Sequence, residues 1–205
     1  MSTVPKDFTK GVIASVQREL ETLGFEKRKA GILTLQIQPD ILGAVGLNTA
    51  TGRGPGVLEI NPVVGVRNQQ IERLVAELCG DPFDELIPPT LAGNVGYLSP
   101  ANRYLPFLFS QDTEIGGVSA QLCDAVRVHG LPFIKEAANL AALVEAMQTG
   151  RFGIPFVIVY RIPVGLLLLN NHSKANTFLA DKLSEIRTRS DPAAVRYKSF
   201  AAKLL

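Results

Sequence analysis

The sequence predicts an α+β fold: an N-terminal helix packed on an antiparallel β meander, followed by a mainly helical C-terminal half. Three observations carry this expectation. Apolar residues recur at helical spacing from Phe8 to Leu23. Short runs rich in β-branched residues, separated by glycine turns, fill residues 32–66. From residue 112 onward helical periodicity returns, punctuated by Gly, Asn and Pro. A helix with one apolar stripe needs a second layer to cover it, and the meander that follows supplies one. We expect a single α+β domain over 1–205, with the helix and sheet in 1–110 and a helical subdomain in 111–205.

Phe8, Val12, Ile13, Val16, Leu20 and Leu23 form the apolar face of the first helix, with Asp7 as its expected cap and Gly24 as its stop. Ala30-Gly31 reads as a turn before the strand Ile32–Gln38. Gly43–Asn48 and Val57–Asn61 are two further strands, joined by Thr51-Gly-Arg-Gly-Pro-Gly56, and Val63–Val66 resumes after a break at Pro62. Asn68 should cap a second helix, with Ile71, Leu74, Val75 and Leu78 apolar and Gly80 closing it. Asp81–Pro89 is an acidic, proline-rich loop. Leu91–Leu98 and Tyr104–Phe109 read as strands, the second confined to an edge by Pro106.

In the second half, Asp112 or Thr113 should start a helix through Ile115, Val118, Leu122 and Val126 that ends at Gly130. Pro132 should open another, through Ile134, Leu140, Leu143, Val144 and Met147, ending at Gly150. Ile154–Leu169 has the β-branched run of a strand, but its length and its early proline favour a helix. Lys174–Arg187 and Asp191–Leu204 complete the set, the last with Asp as N-cap and Pro at the first helical position.

Composition narrows the function. With 46% hydrophobic and 20% charged residues the chain is not disordered. A net charge of +2 gives no reason to expect nucleic acid or an anionic membrane as partner. The charge is uneven, with 9 Lys/Arg against 11 Asp/Glu in residues 1–90 and 12 against 8 in residues 91–205. Lys182, Arg187, Arg189, Arg196, Lys198 and Lys203 hold much of the excess, as the solvated face of the terminal helices. Cys79 and Cys123 sit in apolar helical patterns and are expected as buried free thiols. Met1-Ser-Thr-Val-Pro-Lys-Asp opens no signal peptide, so we expect a cytoplasmic protein, in which the sequon Asn171-His172-Ser173 carries no meaning. The most apolar stretch, 154–169, is interrupted by Pro155, Arg161 and Pro163 and falls short of the roughly 20 residues that span a bilayer.

The motifs of chemistry are missing. A phosphate-binding loop needs a helix N-terminus behind it, and Thr51–Gly56 is followed by a strand. His129 and His172 lie outside any metal-ligand spacing, and His129 is expected at a helix end, where the helix dipole favours the protonated ring. Cys123 and His129 are about 9 Å apart along a helix axis, too far to form a couple. Asp40 and Glu59 could form a carboxylate pair, although strand polar residues usually face solvent. Arg67 could hold an anion or a structural ion pair. We therefore expect no catalytic residue, no metal and no cofactor. In the acidic loop, Asp81, Asp84 and Glu85 surround Phe83, with Leu86 and Ile87 following, and an aromatic anchor ringed by charge suits a protein-binding surface.

The order of an amphipathic helix, Leu23-Gly-Phe25, Lys27-Arg28 and then a strand meander resembles a broad group of uncharacterised small bacterial proteins. Some of these accompany polymorphic toxins as immunity proteins. The resemblance covers about the first 80 residues. It implies a non-enzymatic protein that neutralises a cognate toxin by direct binding, through Asp81, Phe83, Asp84 and Glu85. The alternative is a small-molecule-binding protein or enzyme, with a site between the sheet and the helical half that would gather Asp40, Glu59 and Arg67.

Overall fold

The structure is a computed structural model that describes residues 4–29, 31–86, 88–150 and 152–205. Met1–Thr3, Ala30 of the expected turn and Ile87 of the acidic loop lie outside the described residues. Helix α1 spans Lys6–Glu21. Its N-cap is Pro5, not Asp7, because the Thr9 N–H already bonds the Pro5 carbonyl (3.1 Å) and closes a turn before Asp7 can cap one. Asp7 sits instead in the first turn, where a carboxylate complements the helix dipole.

The sheet is antiparallel throughout: β1 (Glu26–Lys29), β2 (Ile32–Gln38), β3 (Ile41–Ala50), β4 (Leu58–Asn68), β5 (Leu91–Asn94) and β6 (Phe107–Phe109). The order is β1-β2-β3-β4-β5, with β6 pairing β4 along the same edge as β5. Strand β1 is absent from the sequence reading because Glu-Lys-Arg-Lys has no apolar residue to alternate. It is held by pairing with β2 and by Arg28 Nε donating to Thr34 Oγ1 (2.9 Å).

Pro62 does not break β4, which runs unbroken from Leu58 to Asn68. The Pro62 carbonyl points to the outer edge, where it accepts from Asn94 Nδ2 (3.4 Å). A strand residue sends its N–H and its carbonyl to the same edge. The missing N–H of Pro62 therefore faces the gap between β6, which pairs residues 58–60, and β5, which pairs residues 63–66. No ladder bond is lost there.

The expected strand Leu91–Leu98 ends at Asn94, whose side chain accepts from the Gly96 N–H (2.8 Å) and caps the short helix α3 (Val95–Leu98). Tyr104–Phe109 contracts to β6. Helix α2 (Gln69–Cys79) matches expectation. Asn68 Oδ1 accepts from the Ile71 N–H (3.0 Å), and Gly80 closes the helix at φ 72°, a conformation glycine adopts without strain.

Helix α4 (Ile115–Ala125) is capped by Glu114 rather than by Asp112 or Thr113. Thr113 Oγ1 is already engaged with the Ser110 N–H (3.0 Å) in the preceding turn. The tract does not stop at Gly130. It passes through a π-helical turn (Val126–Gly130) straight into α5 (Leu131–Ala137). Gly130 serves closeness instead: a Cβ there would stand 3.1 Å from Val64 Cγ2 of β4. Pro132 has no N–H to continue the α ladder, and the wider π turn before it absorbs that loss. The helix expected to run on to Gly150 restarts at α6 (Leu140–Gln148), because Asn139 Oδ1 accepts from the N–H groups of both Ala141 and Ala142.

Ile154–Leu169 is helical, as α7 (Pro155–Leu168) with its proline at the N-terminal turn. Helix α8 (His172–Glu185) begins before Lys174 because Asn171 caps it, and α9 (Pro192–Leu204) is capped by Asp191 as expected. Helix α1 packs on α4, where Ser119 Oγ meets Ser15 Oγ (3.1 Å) and Cys123 Sγ reaches the Glu19 carbonyl (3.2 Å). Helix α7 packs against α2, α6 and α8, and α2 also against α9. One buried apolar cluster joins Val45 and Val64 of the sheet to Ile134, Ile162 and Phe200 of the helices. Among the described residues, no helix is long and apolar enough to cross a membrane.

Candidate functional site: a cavity under the acidic loop

The loop after α2 closes over a cavity of about 510 Å³, walled by α2, α7 and α9. Ligand pockets commonly hold about 300–1,000 Å³. Val75 and Ala76 come from α2, Phe156, Val157 and Tyr160 from α7, and Ala193 from α9. The polar groups that line it are Arg67, Glu72 and Arg161, together with Asp81, Asp84 and Arg196.

Arg67, Glu72 and Arg161 are all buried, with 2%, 7% and 4% of their surface exposed. Glu72 is the shared partner. Its Oε2 accepts from Arg161 Nη2 (2.8 Å) and lies 3.6 Å from Arg67 Nη1. Its Oε1 accepts from Thr90 Oγ1 (2.8 Å) and lies 2.7 Å from Arg161 Nε, a close charge contact whose N–H points off the oxygen. Arg161 Nη1 also donates to the Thr90 carbonyl (2.9 Å). Arg67 donates from Nε to Gln69 Oε1 (3.0 Å), and from its two Nη atoms to the carbonyls of Pro88 and Asp84. Burial is the first cause lowering the Arg67 pKa, and the positive neighbour Arg161 works in the same direction. The cluster thus stitches the loop to β4, α2 and α7. It is built from two guanidiniums and one carboxylate.

The four loop residues singled out from the sequence are brought together, but not as a free anchor. Phe83 is half-buried, with the guanidiniums of Arg67 (5.4 Å) and Arg73 (5.1 Å) over its ring. Asp81 pairs with Arg196 of α9, and Asp84 with Lys29 of β1 (3.5 Å). The Glu85 carbonyl accepts from Gln69 Nε2 (2.8 Å), and its side chain is exposed. Phe83 is therefore a structural clamp rather than a projecting contact. The projecting aromatic is Phe156, 75% exposed, beside Ile154 at 53%. It stands between the main cavity and an adjoining hollow of about 310 Å³ lined by α7, α8 and α9. Sequence reasoning missed it because Ile154 and Phe156 merge with the apolar run of α7. The signal available was the position of Phe156 in the first turn, before the helix is buried.

The proposed gathering of Asp40, Glu59 and Arg67 does not occur. Of these only Arg67 lines the main cavity. Asp40 accepts from Gln70 Nε2 (2.8 Å) and lines a separate hollow. Glu59 is not solvent-facing: it is 5% exposed, accepting from Arg53 Nε (2.7 Å) and from the Tyr104 hydroxyl. The hydrogen bond from Tyr104, followed by that from Arg53, holds its carboxyl below the usual range. Through Arg53 this pair pins the glycine-rich turn 51–56, which is thus a structural turn.

Cys123 is buried and Cys79 half-buried, both unbridged, and burial raises both thiols above their ordinary values. His129 lies inside the π turn, so there is no helix end beside it, and His172 is exposed in the first turn of α8. Among the described residues, no group of three or more His, Cys, Asp or Glu could hold a metal ion.

Comparison with protein-family models, curated proteins and solved structures finds no match. The chemistry of the cavity and its rim must therefore carry the functional reading.

Proposed function

We propose that this chain is a non-catalytic protein that binds another protein, acting as an immunity protein that neutralises a cognate bacterial toxin. The observation that supports this is Phe156, 75% exposed between two hollows. Isolated exposed apolar residues are ordinary, but an aromatic flanked by exposed Ile154 and by concave surface on both sides is the geometry of an interface anchor. The acidic loop keeps a role as one wall of the main hollow, through Asp81 and Asp84, and with exposed Glu85 it offers negative charge to a basic partner. The anchor moves from Phe83 to Phe156.

The test is co-expression with the toxin encoded beside this gene, reading growth rescue and a complex on size exclusion. Wild type should rescue and co-elute. Phe156→Glu should fold normally and weaken binding by about 2–4 kcal/mol, as loss of an interface anchor does. Absence of a complex with wild type, or full rescue by Phe156→Glu, overturns the reading.

A further inference from the structure

We propose that the cavity under the acidic loop binds a small monocarboxylate with an apolar body, its carboxylate set against Arg67 and Arg161. This does not depend on the protein-binding reading, because it concerns the interior of the hollow rather than its rim.

The charge ledger of the cluster is the starting point. Two guanidiniums, each at least nine-tenths buried, share a single carboxylate, so the cluster carries one surplus positive charge. The sharing is unequal. Glu72 lies 2.7 Å from Arg161 Nε but 3.6 Å from Arg67 Nη1. The Arg67 donors go instead to neutral oxygens, the carbonyls of Pro88 and Asp84 and the side chain of Gln69. The carboxylates of Asp84 and Glu85 lower the cost of this surplus from the loop, but both residues are exposed and their field is screened by water. A buried charge without its own counter-charge is costly, and proteins seldom keep one except where something neutralises it.

The surplus faces open space. Arg67, Glu72 and Arg161 line the same 510 Å³ cavity as Phe156 and Tyr160. A ligand there would meet guanidiniums at one end and aromatic and aliphatic walls along its length. Planar guanidinium suits a carboxylate because two parallel N–H groups match its two oxygens. The other charges on the walls already have partners, Arg196 in Asp81 and Asp84 in Lys29, so the surplus stays with Arg67 and Arg161 and selects one acidic head on an apolar body. A dianion would exceed the single surplus charge.

Phenylbutyrate and its neutral twin phenylbutyramide separate charge from shape. Titration calorimetry on the full chain should show the acid binding at least about tenfold tighter than the amide, the difference between charge-assisted and neutral hydrogen bonds. Ala76→Trp, which fills the cavity from α2 and leaves every charge of the cluster in place, should abolish binding of both. Glu72→Gln raises the surplus by one charge and should widen the acid-over-amide ratio. The thermal midpoint of each variant shows whether it is folded, and Ala76→Trp keeps the test decisive if Glu72→Gln is not. Equal affinity for acid and amide overturns the proposal. So does absence of binding by wild type, or acid binding that survives Ala76→Trp. Phe156→Glu tests the protein-binding reading separately through growth rescue, so the two can fail independently.

Discussion

Glu59 and Glu72 are two buried carboxylates, each on or just after strand β4, and their surroundings differ in one respect. Glu59 has one guanidinium and one phenol hydroxyl, so its charge is matched and the group closes on itself around the turn 51–56. Glu72 has two guanidiniums and a threonine hydroxyl, so the cluster is left positive and opens onto a cavity. The first pair holds a loop shut. The second holds a loop in place around a cluster with one more cation than anion. Burial of a carboxylate therefore says little about role. The number of cations around it, and whether they face a void, says more.

Mutation should separate the two. Glu72→Leu strands two buried guanidiniums and should cost about 3–5 kcal/mol in urea denaturation, the usual penalty for removing one partner of a buried pair. A loss below that of any Glu59 variant would break the contrast. Thr90→Val removes a hydroxyl that donates to Glu72 Oε1 and accepts from the Asn68 N–H (2.9 Å), taking the buried N–H's side-chain acceptor and one donor from Glu72, so about 2 kcal/mol should be lost. Tyr104→Phe takes one donor from buried Glu59, through a tyrosine that is itself exposed, and should cost about 1 kcal/mol.

The smallest effect is in the acid range. The folded Glu59 carboxyl titrates below its unfolded value of about 4.3. Its contribution is complete above that unfolded value and disappears as pH falls through the folded one. Thermal midpoints measured downward from about pH 5 should therefore decline, and Tyr104→Phe, which relaxes the shift, should flatten that decline. An identical acid profile in wild type and variant would remove Tyr104 as the cause.

The fold was legible wherever a local rule operates. Asn68, Gly80, Asp191 and the early proline of α7 act within one helical turn, and each does what its spacing implies. The errors lie where a distant partner decides. Gly130 reads as a stop only until Val64 of β4 is placed against it. Pro62 reads as a break until the gap between β5 and β6 is known. The site divides the same way. The acidic loop was visible as a cluster, and Arg67 as an isolated candidate. Glu72 and Arg161 looked like ordinary residues of an amphipathic helix and an apolar one. What joins them is the packing of α2 against α7, which leaves no trace at short range. Phe83 was seen as an aromatic among acids, but Arg67 and Arg73, which clamp its ring, belong to β4 and α2.

The charged strand β1 has a consequence for crowded solutions. An edge strand exposes unpaired backbone groups that can template another chain, and antiparallel sheets with such edges tend to join one another. Here the edge is Glu26-Lys-Arg-Lys29, exposed along its whole length. A second copy aligning antiparallel with it would set Lys27 against Arg28, like charge against like, at the centre of the new ladder. Replacing Lys27 and Lys29 with valine would leave the fold's interior untouched, yet should turn a charged edge into a seed for fibrous precipitation.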